Sequence, residues 1–160
     1  MTTAYIGVGT NIERKKHVKA AIQELSKIDK SLIVSPIYEC KAVGFNGPVF
    51  YNLVIRLNTA FTLTEFSHCL RNIEFSWGRK ENAQKYQDRT LDLDILLFGE
   101  QVSKANPEIP RNDIYKYPFV IQPLYDLAPD LVVPGSGERV REIWAGMDGL
   151  DSLKVVDLLI

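Results

Sequence analysis

Cysteine is scarce in this chain of 160 residues, where only Cys40 and Cys69 occur. Two thiols are too few for a disulfide framework, and they are not spaced as zinc ligands. Long apolar runs are missing too, and none approaches the ~20 residues needed to cross a bilayer. The first residues lack the basic start of a secretion signal, so the cytoplasm is the expected compartment. Charge of one sign is also absent. Nineteen Lys and Arg stand against twenty Asp and Glu, a formal net charge of −1. A chain living on nucleic-acid phosphate would be far more basic. No internal repeat, linker or low-complexity tract interrupts it. What remains is 46% hydrophobic and 24% charged, as in ordinary globular proteins. One domain over residues 1–160 is expected, as a monomer with neither nucleic acid nor membrane as partner.

Hydrophobic spacing gives the elements. Ala4, Ile6 and Val8 alternate with Tyr5 and Gly7 as a strand. Thr10 and Glu13 have the spacing of a capping box, and Val18, Ala21, Ile22, Leu25 and Ile28 then follow at helical intervals. Leu32 to Tyr38 reads as a second strand, with Pro36 marking an edge or bulge. Phe50 to Asn58 alternates strongly as a third. Thr62 and Glu65 form a second capping box before the stripe Leu63, Phe66, Leu70, Ile73 and Trp77, which Gly78 ends. Leu91 to Phe98 is the fourth strand. Six prolines from Pro107 to Pro134 cut the remainder into short helices and turns. The order βαββαβ predicts an α+β, ferredoxin-like antiparallel sheet with both helices on one face. Its other face is then solvent or a site, walled by the C-terminal extension.

The fourth strand carries the strongest chemical signal. Leu91, Leu93, Ile95 and Leu97 form one apolar row that should meet the helices. Asp92 and Asp94 then share the opposite face, their Cβ atoms ~7 Å apart. Such a pair is either a solvated strand face or a cation site. Two carboxylates on a half-buried strand repel each other, and Mg²⁺ takes one or two carboxylates plus phosphate oxygens. In the third strand, Leu53, Ile55 and Leu57 face the core, leaving Phe50, Asn52, Val54 and Arg56 on the side of the aspartates. An aromatic plate plus an amide suits a flat heterocycle.

Other signals are weaker. Residues 79–90 hold Arg79, Lys80, Lys85 and Arg89 against Glu81 and Asp88, either a solubilising loop or a phosphate clamp. Glu74 sits in the last turn of a helix, where the macrodipole disfavours an anion, so it is either exposed or paired with an arginine. Gly7-Val8-Gly9-Thr10-Asn11 lacks a P-loop ending and reads as a tight turn plus helix cap. His17 and His68 lie on helices in packing or surface roles.

Taken together, these residues resemble the 6-hydroxymethyl-7,8-dihydropterin pyrophosphokinases of folate biosynthesis. The resemblance lies in Ala4-Tyr5-Ile6-Gly7-Val8-Gly9-Thr10-Asn11, in Ser35-Pro36-Ile37-Tyr38-Glu39, in Val43-Gly44 and in Tyr51-Asn52. It is most specific in Gly78-Arg79 followed by Arg89-Thr90-Leu91-Asp92-Leu93-Asp94-Ile95-Leu96-Leu97-Phe98-Gly99. Ile109-Pro110, Pro118-Phe119-Val120, Pro123-Leu124 and Ala128-Pro129-Asp130-Leu131-Val132 continue it. The family transfers the β,γ-pyrophosphoryl group of ATP to the pterin hydroxymethyl and releases AMP. By resemblance, Asp92 and Asp94 hold two Mg²⁺ ions and ATP is the co-substrate. Phe50 and Phe119 sandwich the pterin, with Val43, Asn52 and Glu74 around it. Arg71, Ile95 and Arg111 line the ATP side, and Arg79 and Arg89 belong to a mobile catalytic loop that neutralises phosphate charge.

This chain departs from the family pattern at several positions. Arg111 stands where a histidine is usual, Tyr117 where a basic residue is usual, and Cys40 where a threonine is usual. Tyr86, Glu81 and Asp88 replace the loop's usual tryptophan, arginine and proline, which makes the loop less cationic. Two alternatives remain: a non-catalytic pterin- or nucleotide-binding relative with a decayed loop, and another metal-dependent nucleotidyl or phosphoryl transferase on the same sheet.

Overall fold

A computed structural model describes residues 1–78 and 90–158. Its centre is an antiparallel sheet of β1 (Thr2–Thr10), β2 (Ile33–Val34), β3 (Ile37–Cys40), β4 (Phe50–Thr59), β5 (Asp92–Phe98) and β6 (Lys154–Val156). The spatial order is β5-β1-β4-β3-β6, with β2 also paired to β4. The expected second strand is broken at Pro36 into β2 and β3. Proline has no N–H for the ladder, and Ser35 bridges the break: its N–H donates to the Val54 carbonyl at 2.9 Å and its Oγ accepts from the Val54 N–H at 2.9 Å. With the two halves counted as one strand, the βαββαβ plan is present in fourth-first-third-second order.

Two helices, α1 (Arg14–Ser26) and α2 (Leu63–Ser76), cover one face. Ala4, Ile6, Val8, Leu53, Ile55, Leu57, Leu91, Leu93 and Ile95 meet Val18, Ala21, Leu25, Phe66, Leu70 and Ile73 there. The α2 capping box forms as expected: the Thr62 Oγ1 accepts from the Glu65 N–H and the Glu65 carboxylate accepts from the Thr62 N–H. The α1 capping box does not form. Thr10 ends β1, its hydroxyl donates to the Ile12 carbonyl at 3.2 Å, and Glu13 enters the helix in the left-handed region at φ 42° with no side-chain cap. The long ladder with β4 holds Thr10 in the sheet, opposite Tyr51, three residues short of the helix entry. His17 is a packing residue, as expected: it is buried, its Nδ1 lies 2.6 Å from the Ile12 carbonyl oxygen, and Trp77 meets it edge-on.

A second core fills much of the other face. A 3₁₀ turn (Asn112–Tyr115), α3 (Pro118–Leu127) and α4 (Val140–Ala145) bring Ile114, Val120, Ile121, Leu124, Val140 and Ile143 onto Tyr5, Val54, Leu96 and Leu97. Leu97 was expected on the helix-facing row. A register shift against β1 between Tyr5 and Ile6 turns Leu96 and Leu97 both to this second core and returns Phe98 to the first. No helix of the described residues is long and apolar enough to cross a membrane.

Phe66 is fully buried and packs on Phe98 with ring centroids 5.7 Å apart. Phe66→Ala is expected to lower unfolding free energy in urea by about 3–5 kcal/mol. A loss near that of a surface substitution would place Phe66 outside the cooperative core.

Candidate active site

Between the two cores the open face is not filled, and a cavity of about 520 Å³ lies there. Its floor is made by alternation. In β5, Leu91, Leu93 and Ile95 go to the helices, so Asp92 and Asp94 turn the other way into the cavity. Across the ladder, Asp92 pairs with Gly9 and Asp94 with Gly7, and these pair onward with Asn52 and Val54. The two glycines are therefore strand residues on the cavity floor, Gly7 as its place in the first alternating segment predicts and Gly9 in place of the tight turn expected. A Cβ on Gly9 would come within 3.1 Å of the Asn52 Oδ1, and one on Gly7 within 3.4 Å of Leu96. Their missing side chains keep the space between the aspartates and Asn52 open.

Glu74 reaches this floor from α2. It is 2% exposed, and its Oε2 accepts the Leu93 N–H at 2.8 Å. β5 is an edge strand, so its outward N–H groups need partners beyond the ladder. The carboxylate supplies one midway between Asp92 and Asp94. An arginine also stands by it: Arg71 Nε lies 3.8 Å from Glu74 Oε1, with its own side chain half exposed.

Arg111 closes the other side. Its backbone N–H donates to the Leu96 carbonyl at 2.9 Å, which fixes it beside β5. Its Nε donates to Asp113 Oδ2 at 3.0 Å and its Nη2 lies 3.7 Å from Asp94 Oδ1. Burial, then the adjacent Asp92 carboxylate, push the Asp94 carboxyl well above its usual range, Arg111 pulls it back, and Glu74 and Asp113 add to the push. Like-charge repulsion of this kind is what a divalent cation relieves. Among the described residues no group of three or more His, Cys, Asp or Glu gathers as a ready-made metal cage. Two carboxylates suit Mg²⁺, which completes its shell with phosphate and water.

Aromatic rings form the far end. Phe50 comes from β4 and Phe45 meets it edge-on at 6.4 Å, while Phe119 comes from α3 and Tyr117 stacks on it at 4.9 Å with 18° between the planes. Asn52 Nδ2 approaches the Cys40 Sγ at 2.8 Å. Burial pushes the Cys40 thiol up to about 11, against the Asn52 hydrogen bond and with Glu39 adding, so it stands there as a neutral thiol.

Val43, Phe50, Asn52, Arg71, Glu74, Asp92, Asp94, Ile95, Arg111 and Phe119 all line this one cavity. Ile95 also belongs to the helix-side core, because the cavity wraps around the β5 edge to Leu70 and Arg71 of α2. Arg79 and Arg89, with Lys80, Glu81, Lys85, Tyr86 and Asp88, lie outside the described residues. Sequence reasoning missed Asp113, which steers Arg111, and the aromatic partners Phe45 and Tyr117. The Arg-x-Asp spacing of Arg111 and Asp113 was the available signal for the first.

Comparison with known proteins supplies the chemistry these walls serve elsewhere. A family model described as 7,8-dihydro-6-hydroxymethylpterin-pyrophosphokinase matches residues 5–129. The chain is 34% identical over 141 residues to the 2-amino-4-hydroxy-6-hydroxymethyldihydropteridine pyrophosphokinase of Haemophilus influenzae, covering 85% of this chain and 88% of that protein. It is 33% identical over 156 residues to the protein of the same name from Pseudomonas aeruginosa, covering 93% and 95%. A crystal structure of Plasmodium falciparum HPPK-DHPS superposes with a TM-score of 0.69 at 13% identity, a likeness of fold. That match covers 91% of this chain and 43% of the much longer Plasmodium chain.

Glu74→Ala strands the buried Leu93 N–H and is expected to cost ~1–3 kcal/mol in urea unfolding. Glu74→Gln keeps a carbonyl acceptor and should recover most of that loss. Equal losses in both variants would assign the cost to the Arg71 pairing instead.

Proposed function

The chain belongs to the 7,8-dihydro-6-hydroxymethylpterin-pyrophosphokinase family, and from that premise we infer that it moves a pyrophosphoryl group from ATP to the hydroxymethyl group of 6-hydroxymethyl-7,8-dihydropterin, releasing AMP. This is a step of folate biosynthesis. The observation that supports it most directly is the meeting, in one cavity, of a carboxylate pair and a ring-binding wall. The alternative of a different transferase on the same sheet gives no reason for Phe50, Asn52 and Phe119 to share that cavity.

The residue roles follow from chemistry. Asp92 and Asp94 would hold Mg²⁺, two ions in our reading, and the metal's contribution is to neutralise and orient the triphosphate for in-line attack. Glu74 keeps the backbone between the two acids in place through the Leu93 N–H. Arg111 and Arg71 present guanidinium forks to phosphate oxygens. Phe50 and Phe119 hold the flat pterin by its faces, Asn52 meets its edge, and Val43 borders it. Ile95 lines the apolar end that takes adenine, past the β5 edge. Arg79 and Arg89 are assigned to closing charge over the phosphates. Transfer of this kind depends chiefly on positioning and charge neutralisation, so no side-chain base is required of the residues that line the cavity. We further propose that residues 1–160 act as one domain and as a monomer in the cytoplasm, with small-molecule partners only.

Incubation with ATP, Mg²⁺ and the hydroxymethyl dihydropterin should yield AMP only when both substrates are present. Binding of both without AMP would support a decayed relative, and ADP or free pyrophosphate a different transferase. Asp94→Ala should abolish metal-dependent ATP binding while circular dichroism stays unchanged; retained nucleotide affinity would remove Asp94 from the metal site. Phe119→Ala should weaken pterin binding more than ATP binding when both are followed by fluorescence titration. Equal losses would dismantle the ring sandwich.

A further inference from the structure

Arg111 has two attachments that differ in kind. Asp113, two residues away on the same 3₁₀ turn, accepts its Nε at 3.0 Å, and Asp94, across the cavity wall, faces its Nη2 at 3.7 Å. Its backbone is fixed on the Leu96 carbonyl, so the guanidinium cannot leave the neighbourhood. Its side chain is 38% exposed, so the head group still has room to turn. Among the described residues, the ion-pair partner of Asp94 is this guanidinium, while Arg71 lies by Glu74 at 3.8 Å.

We propose that Arg111 is the resident counter-cation of Asp94 in the free protein and passes to the nucleotide's phosphate when a divalent ion takes its place, so that metal and nucleotide bind as a coupled pair. The inference rests on the assignment of Asp92 and Asp94 as metal ligands and adds how entry to that site is controlled. A guanidinium keeps its charge throughout the accessible pH range. It cannot make way for a metal by losing a proton, as the imidazole usual at this position could. A bare divalent ion must therefore enter against a fixed positive charge only a few ångströms away. A triphosphate removes that obstacle, because its oxygens match the guanidinium fork better than one carboxylate oxygen at 3.7 Å does. Asp113 serves as the pivot: it holds Nε in both arrangements and leaves the Nη groups to exchange partners.

The test uses the full chain and Mn²⁺ as the probe, with free ion followed by its paramagnetic resonance signal, with and without α,β-methylene-ATP, which cannot release AMP. The wild type should bind Mn²⁺ weakly alone and much more tightly with the analogue. In Arg111→Met, affinity for Mn²⁺ alone should rise about tenfold and affinity for the analogue should fall about tenfold. Arg111→Gln gives a second neutral variant should the first not fold, and Arg111→Lys should restore both values in part. Unchanged or weaker binding of Mn²⁺ alone in the neutral variants would overturn the proposal, as would unchanged analogue affinity. Asp94→Asn reports separately. If it leaves Mn²⁺ binding intact in the presence of the analogue, the metal-site assignment itself fails, whatever Arg111 does.

Discussion

Repulsion between the Asp92 and Asp94 carboxylates, forced into one cavity by the pleat of β5, is the constraint to which the surrounding residues respond. The apolar row Leu91, Leu93 and Ile95 must face α1 and α2, so the acids have no other side to turn to. A third carboxylate, Glu74, comes up beneath them, holds the Leu93 N–H and adds to the repulsion. Asp113 brings a fourth negative group to the same end, and Arg111 stands between it and Asp94. The result is a fold held together in its cores, with like charges gathered at its cavity. A neutral or apolar pair at positions 92 and 94 would remove that tension together with the site.

The cavity exists because the second hydrophobic layer covers only part of its sheet face. The helices α1 and α2 cover the far side, while α3, α4 and the 3₁₀ turn cover the near side over Tyr5, Val54, Leu96 and Leu97. Next to that covered region the strand residues become Gly7 and Gly9, which have nothing to project. The shift at Leu96 and Leu97 belongs to the same arrangement. It sends two successive leucines into the near layer, which anchors the C-terminal segment directly beside the acids. Depth in the cavity thus comes from packing on either side of it and from the residues between β3 and β4, Lys41, Val43 and Phe45, that line it.

Much of this was legible in sequence because strand alternation is a local property. The faces of β4, the faces of β5 as far as Ile95, and the capping box at Thr62 and Glu65 followed from local spacing, and many of the cavity residues from that spacing and the family resemblance. What failed depended on neighbours distant in sequence. Thr10 looks like a helix cap beside Glu13, yet pairing with Tyr51 keeps it in β1. Leu97 continues the apolar row on paper, but the ladder with β1 skips a residue and reverses it. Gly9 resembles part of a turn until β4 and β5 are placed on either side. The small strand β6, whose pairing with β3 joins Ile37 to Val156, has too short a pattern to register in sequence.

The two rings proposed to hold the pterin, Phe50 and Phe119, show why the C-terminal layer belongs to the candidate site and is not an appendage to it. Phe50 belongs to the βαββαβ sheet and is braced by Phe45, but Phe119 belongs to α3 and is braced by Tyr117. A sheet with two helices can therefore present only one wall to a flat ring. The second wall depends on α3 docking, which Leu124 and Ile121 secure in the near core. A further chain of hydrogen bonds runs from Trp144 of α4 to Gln122, from Gln122 to Asp126, and from Tyr38 of β3 to Asp126, tying that layer to the strand that carries Cys40. Cys40 in turn touches Asn52, so the amide expected at the pterin edge and the ring expected on its face are both positioned through the same C-terminal packing. Under the proposed roles, loosening α3 would accordingly separate ring binding from metal binding, because Asp92 and Asp94 sit on β5, where Glu74 holds the Leu93 N–H between them.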